Sequence, residues 1–234
     1  MKRTITIISA IMASCFAAAA GRPVSVEVCS DKIVHVRSYK GEATPTLMER
    51  YGIVKTDWSG MSAVKGKAAV GASGYSCELD EAAQTIRFYN ADGSMLTSIS
   101  LVGADNPLCQ KLADVINDKF SGMNVASNGG IIGDDDGTIS EKDKTESGDP
   151  AKSSIVSIAM ADGERFYGGG STSRDHIQHR GELLRMWTTY QHTEIPMPFM
   201  LSSRGWGIFN NTTRKNYFDV GYTDKDTFNV YTTC

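Results

Sequence analysis

The chain has 234 residues, 41% of them hydrophobic and 22% charged, with 24 Lys and Arg against 27 Asp and Glu. This is the composition of a globular chain with one large domain or two small ones, and it argues against a disordered or fibrous protein. No basic excess is available to hold a phosphate backbone, which excludes nucleic acid as a natural partner.

In chain order, the sequence opens with Lys2 and Arg3, then runs uncharged from Thr4 to Ala20 and ends in the small residues Ala18-Ala19-Ala20. A basic start, an uncharged run and a small-residue cut define a secretory signal peptide over residues 1–20. The run holds several Ser and Thr and falls short of the roughly 20 strongly apolar residues that a membrane span needs. Met12 to Cys15, MASC, also resembles a bacterial lipobox, which would put a lipid anchor on Cys15. Phe16 is unusual after a lipobox cysteine, and plain cleavage between Ala20 and Gly21 is the favoured reading. The expected location is periplasmic or extracellular, with residues 1–20 outside the fold. Losing Lys2 and Arg3 leaves 22 basic residues against 27 acidic ones, a net charge of −5. The stretch 134–149 alone carries seven acids and two bases, so the rest of the mature chain is neutral overall. Cys29, Cys77, Cys109 and Cys234 remain. Export permits disulfides in any of three pairings, buried thiols are the equal alternative, and the spacing fits no zinc motif.

Short alternating runs follow. Val24, Val26 and Val28 share one face, and Ile33 to Val36 comes after a Ser30-Asp31 turn. Ile86 and Phe88 alternate before the turn Asn90 to Gly93, and Met95 and Leu96 lie beyond it. Ile155 to Met160 is closed by Ala161 to Gly163. The stretch Phe199 to Asn211 reads as two strands around an Arg204-Gly205 turn, and Val220 and Phe228 to Tyr231 add more. Many short strands separated by Gly and Asp turns, with no βαβ rhythm and no internal repeat, predict an all-β antiparallel β-sandwich. One segment differs. Leu108, Leu112, Val115, Ile116 and Phe120 recur at helical spacing, and Asn106-Pro107 supplies a helix start, which predicts a helix over Leu108–Phe120. The polar, Gly-rich and acidic stretch after it completes a surface insertion over residues 107–149.

The candidate motifs are then weighed in turn. The triple glycine Gly168-Gly169-Gly170 lacks the Gly-Lys-Ser/Thr of a phosphate loop, and Ser173 stands where a dinucleotide fingerprint needs glycine. It reads as backbone freedom between strands. His176 and His179, with His192 or Glu194, have no frame that fixes a metal, and no metal is assigned. Asp134, Asp136, Ile139 and Asp143 can be laid on a calcium loop around Gly137, but Ile132 then falls at its first ligand position. A solvated acidic loop is the better reading. No Gly-x-Ser-x-Gly elbow is present. Glycosidic hydrolysis with retention needs two carboxylates about 5–5.5 Å apart, and no spacing singles out such a pair. Aromatic rings can pack on sugar faces. Trp206, between two glycines in a strand, reads as core. Tyr190, in a loop between Trp187 and Pro196, is as compatible with ligand contact as with packing.

The ordered set Glu164 to Gly170 (ERFYGGG), His179-Arg180-Gly181, Leu184 to Trp187 (LRMW), Glu194 to Asn211 (EIPMPFMLSSRGWGIFNN) and Phe218 to Gly221 (FDVG) resembles glycoside hydrolase family 31. That family includes α-glucosidases and α-xylosidases. Tyr75 to Leu96 looks like the paired strands that precede this segment, and the resemblance runs from Val24 to Tyr231, most strongly after Ser153. It implies a galactose mutarotase-like supersandwich, the N-terminal domain of such enzymes. The family's catalytic aspartates lie on a following (β/α)₈ barrel, the nucleophile in a Trp-x-Asp-Met-like motif. None of Trp58, Trp187 and Trp206 is followed by such a motif, so the barrel is expected outside residues 1–234 and no catalytic residue or cofactor is assigned here. Two departures stand out. The family's pocket-reaching Asp is replaced by Tyr190 in a shortened connection, and the insertion 107–149 exceeds the family pattern.

Two readings follow from the resemblance. In the first, the chain is the non-catalytic domain of an exported retaining α-glycosidase. Its partners are an α-linked glycan and the catalytic barrel, and Thr189, Tyr190, Gln191 and His192 contribute to the sugar pocket. In the second, it is a stand-alone carbohydrate-binding or scaffold module.

Overall fold

The computed structural model describes residues 6–12, 23–39, 42–120, 146–171, 176–187 and 195–233. The elements are β1 (Thr6–Met12), β2 (Val24–Ser30), β3 (Ile33–Ser38), α1 (Leu47–Arg50), β4 (Ser62–Ala63), β5 (Lys67–Ala69), β6 (Ser76–Asp80), β7 (Thr85–Tyr89) and β8 (Met95–Val102). After these come α2 (Pro107–Phe120), β9 (Ser154–Ala159), β10 (Phe166–Gly170), β11 (Glu182–Met186), β12 (Pro196–Ser202), β13 (Trp206–Asn210), β14 (Asn216–Val220) and β15 (Thr227–Thr232). Among the described residues they form two sheets, one of seven strands in the order β10-β12-β13-β1-β3-β2-β4 and one of eight in the order β11-β14-β15-β9-β8-β7-β6-β5. The expected all-β sandwich is what the chain forms.

Alternation sets the inner faces. Val34 and Val36 of β3, Met200 of β12 and Trp206 and Ile208 of β13 meet Ile86, Ile99, Val156, Ile158, Phe218, Phe228 and Val230 of the other sheet in one buried cluster. Facing apolar rows of this kind make the core of packed sheets about 10 Å apart. Four rings lock its centre. Phe166 lies edge-on to Trp206 at 5.8 Å and to Phe228 at 5.5 Å, and Phe218 meets Phe228 at 5.3 Å.

Within the expected signal peptide, Thr6–Met12 forms a strand in the full chain. β1 lies between β3 and β13 and runs parallel to both, with Ile8 in register with Val34 and Ile208. β3 and β13 face each other across a gap one strand wide, each with a row of backbone donors and acceptors to satisfy. An uncharged stretch with three Ile residues suits such a pleated slot. Among the described residues every other strand pairing is antiparallel.

The predicted helix is present and packs outside the sandwich, as expected. Cys109, Leu112, Ala113, Ile116 and Phe120 bury one stripe against Ile155, Leu183, Tyr217 and Tyr231, the outward side chains of the eight-stranded sheet. β14 is therefore buried at all five positions, because its sheet is covered on both faces at this end. The acidic run is not wholly solvated. Glu146 is 2% exposed, accepts a 2.7 Å hydrogen bond from the Tyr217 hydroxyl, and pairs with Lys215 at 3.3 Å and Arg185 at 3.6 Å. Two cations and a phenol make burial of that carboxylate tolerable, where an unpaired one would not be. Asn117 and Ser147 bond each other, and the Tyr231 hydroxyl donates to the Ser147 carbonyl, which fixes the re-entry of the insertion beneath α2. Residues 134–143, the calcium-like loop, lie outside the described residues.

Cys29 and Cys77 are buried thiols, and the Cys109 thiol donates to the Gly103 carbonyl at 3.3 Å. Burial pushes the Cys77 thiol up to about 11, and burial together with the neighbouring Glu27 does the same for Cys29. The thiolate is the reacting form. Neither residue should be alkylated by a maleimide at neutral pH in the native protein, and both should react at once in denaturant, as peptide mass mapping will show. In the unfolded chain thiols ionise near about 8.5, whereas here the proton is held to about 11. Their contribution to stability is present below the unfolded value and is lost as the pH rises between the two. The denaturation midpoint should fall over that window and recover part of the loss in Cys77→Ala.

Candidate functional site

The residues that carry the family resemblance converge on one buried carboxylate. Glu164 leads into β10 and is 2% exposed. Its Oε1 accepts from the Trp206 indole N–H at 2.8 Å and from the Ser202 hydroxyl, and its Oε2 accepts from the Ala161 backbone N–H at 2.7 Å. The Ser202 Oγ accepts in turn from the Arg204 N–H at 2.9 Å, at the hairpin turn where Gly205 takes φ +92°. Arg180 closes the other side. Its guanidinium donates to the Ala161, Glu164 and Lys225 carbonyls at 2.8, 3.0 and 3.0 Å. One carboxylate and one guanidinium thus tie the β9–β10 turn, the β12–β13 hairpin and the β14–β15 turn together. Asp219 plays a similar part for the last turn. It is 1% exposed and accepts from the Tyr222 and Thr223 N–H groups at 2.8 and 3.1 Å.

The triple glycine is neither a phosphate loop nor a simple turn. It is the end of strand β10, where the register to β12 shifts between Gly168 and Gly170. A Cβ on Gly168, at φ +128°, would lie 2.5 Å from the Phe199 carbonyl oxygen, and one on Gly170, at φ +72°, would lie 2.2 Å from that of Ile195. Only glycine gives β12 this close an approach with these dihedrals. His179 is buried, with Nε2 3.1 Å from the Gly168 carbonyl, whereas His176 is exposed and 4.0 Å from Glu182. The two histidines are therefore not brought to a common ligand. Among the described residues no group of three or more His, Cys, Asp and Glu gathers as a metal site would require.

Trp206 is wholly buried, as its strand position predicts, and Trp187 is 39% exposed at the end of β11. The sequence-predicted substrate-binding residues Thr189, Tyr190, Gln191 and His192 lie outside the described residues, as does Glu194. Their anchors are fixed. The connection leaves the edge strand of one sheet at Trp187 and enters the other sheet at Ile195-Pro196, where the Ser171 N–H donates to the Ile195 carbonyl at 2.9 Å. Its two ends therefore belong to different sheets. Ile195, Met197, Trp187 and Ile177 on the flanking segments are exposed large hydrophobics, at 73%, 53%, 39% and 84%.

The family model of the glycosyl hydrolase 31 N-terminal galactose mutarotase-like domain matches residues 23–219. The chain belongs to this family. Its fold is similar to that of the GH31 dextranase of Flavobacterium johnsoniae. The glucose complex gives a TM-score of 0.55 at 16% identity over 94% of this chain and 25% of that one. A mutant complexed with isomaltotriose gives 0.54 at 17% with the same coverage. The GH31 α-xylosidase of Xanthomonas citri gives 0.49 at 15% identity over 88% of this chain and 19% of that one. No curated protein matches the chain. The chain spans about a quarter of the dextranase's length.

Replacing Glu164 by Ala should strand the Trp206, Ser202 and Ala161 donors in the core. An unsatisfied buried donor costs about 1–3 kcal/mol, so Glu164→Ala should lower unfolding stability by about 3 kcal/mol or more in denaturant titration. Trp206→Phe, which removes one donor and keeps most of the ring, should lower it by about 1–2 kcal/mol.

Proposed function

We propose that residues 21–234 are the N-terminal, non-catalytic domain of an exported family 31 retaining α-glycosidase, and that the loop Thr189–His192 helps shape the sugar pocket beside the catalytic barrel. The observation that carries this reading is the family match over residues 23–219, whose signature acids are structural. Glu164 and Asp219 are buried and hold indole, hydroxyl, amide and backbone donors. Neither faces an open cleft in which a retaining pair could flank a glycosidic bond. The apolar rim around Ile195, Met197, Trp187 and Ile177 fits coverage by a partner surface such as the barrel. A loop held at both ends by firm strands is where a scaffold places binding residues. Export rests on the basic start, uncharged run and small-residue cut of residues 1–20. Among the described residues no helix is long and apolar enough to cross a membrane.

Purified residues 21–234 should not cleave aryl α-glycosides, and turnover abolished by a single Asp or Glu substitution would overturn the assignment. In a chain that carries the barrel, Tyr190→Ala should lower kcat/KM by roughly tenfold or less, a loss of about 1.4 kcal/mol. Thermal stability should be nearly unchanged. A loss of stability with kcat/KM preserved would make Tyr190 a packing residue.

The exported protein should begin at Gly21 when its N-terminus is sequenced. A lipid-modified Cys15 at the N-terminus would instead identify a lipoprotein.

A further inference from the structure

A strand taken from between two neighbours leaves a gap of fixed width and chemistry. In the full chain Thr6–Met12 is such a strand, parallel to β3 on one side and to β13 on the other. The register sets Thr6 level with Trp206, Ile8 level with Val34 and Ile208, and Ala10 level with Val36 and Asn210. None of those five partners is more than 1% exposed. Val34, Val36, Trp206 and Ile208 belong to the main core. The slot is therefore part of the wall of that core. The ordinary edges of the two sheets lie elsewhere, at β10, β4, β11 and β5.

Cleavage after Ala20 takes Thr6–Met12 away. β3 and β13 then each present a row of backbone donors and acceptors to a gap one strand wide. A backbone polar group left unpaired away from water costs about as much as a lost hydrogen bond, and two facing edges repeat that cost along their length. The core side chains beside the gap lose their cover as well. A strand that enters the slot relieves both penalties at once.

The geometry narrows where that strand comes from. Among the described residues each strand from β2 to β15 already has its place in one of the two sheets, held by backbone bonds that it would have to give up. β3 and β13 run in the same direction, since β1 is parallel to both. A strand parallel to its neighbour is reached only through a crossover of a dozen or more residues, so the occupant belongs to a part of the polypeptide distant from both. It must also be uncharged where it passes the core, as Thr6–Met12 is.

We propose that the slot between β3 and β13 is a strand-docking site, and that in the mature enzyme one extended, uncharged segment of the part of the polypeptide that carries the catalytic barrel occupies it, parallel to both neighbours. Strand addition of this kind draws affinity from main-chain hydrogen bonds and selectivity from alternate side-chain positions. Thr6–Met12 holds the place until cleavage. The proposal rests on the reading of residues 21–234 as a domain of a barrel-bearing enzyme, and it adds a second joint between domain and barrel besides the loop Thr189–His192.

The test is hydrogen exchange read by mass spectrometry, with an isotope-labelled peptide of residues 2–13 as the probe. The full chain, cut at a site-specific protease sequence placed within residues 14–20, is denatured and refolded with the peptide in excess. It should recover as a one-to-one complex in which the slot-facing amides of β3 and β13 are protected. The same peptide with Ile8→Pro should not enter, because a strand paired on both sides has no N–H to spare. A domain that refolds without either peptide would overturn the proposal. In a chain that carries the barrel and begins at Gly21, those amides should be protected with no peptide added, and the labelled peptide should not bind. Exchange there about tenfold or more faster than in the full chain, or saturable uptake of the peptide, would show an empty slot and overturn the proposal. Protection that appears only as protein concentration rises would assign the slot to a second copy and overturn it too. Glycosidase activity of the same barrel-bearing chain separates the two readings: an empty slot in an active enzyme defeats this proposal alone, whereas a chain with no such activity defeats the proposed function.

Discussion

A carboxylate sealed in an apolar core must have every lone pair answered or give up its charge. At Glu164 three donors answer it from three different pieces of chain: the Ala161 amide, the Ser202 hydroxyl and the Trp206 indole. Because hydrogen bonds are directional, this satisfaction ties the β9–β10 turn to the β12–β13 hairpin. The rest of that rim is built outward from it. Trp206 is held in the rotamer that lets Phe166 meet it edge-on, Phe166 in turn sets Phe228, and β10 is positioned so closely against β12 that only glycines fit at 168 and 170. The approach of β10 to β12 also fixes where Ile195 lies, and with it one end of the connection from Trp187.

The second buried acid, Glu146, works in the same way on the opposite side of the eight-stranded sheet. It brings an acidic insertion back to the domain by meeting Arg185, Lys215 and Tyr217 on two adjacent strands. Burial and the Glu146 carboxylate drive the Tyr217 phenol well above its ordinary pKa, so it stays a donor at any pH the protein meets. The helix α2 then covers what would have been a solvated face. An insertion of this kind adds a third layer over one end of the sheet, and the domain keeps its two-sheet core unchanged beneath it.

The slot between β3 and β13 imposes a different constraint. In the full chain it holds Thr6–Met12, parallel to both neighbours. Cleavage after Ala20 would leave two inward-facing strand edges, each a template for another strand. The contacts that fasten α1 to the sheet reach across this slot, from Arg37 on β3 through Glu49 to Asn211 at the end of β13. Those side-chain bonds link the two halves of the sheet beside the slot.

Local features determined much of this in the sequence itself. Alternation of apolar residues marked the strands, because side chains on a pleat must face either core or solvent. The helix was legible from the 3.6-residue spacing of Leu108 to Phe120, and the Arg204-Gly205 hairpin from glycine's access to positive φ. The ordered set from Glu164 to Gly221 carried the family resemblance, and the family model matches over residues 23–219. Tertiary structure alone decided three things. The triple glycine is required by the close approach of a strand that starts 26 residues after Gly170. Glu146, a lone acid within an acidic run, is buried because cations on distant strands meet it, and no local pattern encodes that. The row Glu27, His35 and Arg37 reads in sequence as the solvated face of ordinary strands. It becomes a covered, charge-paired face only when α1 brings Glu49 onto Arg37 and beside His35, since the energy of a buried polar group depends on neighbours that the chain brings from elsewhere.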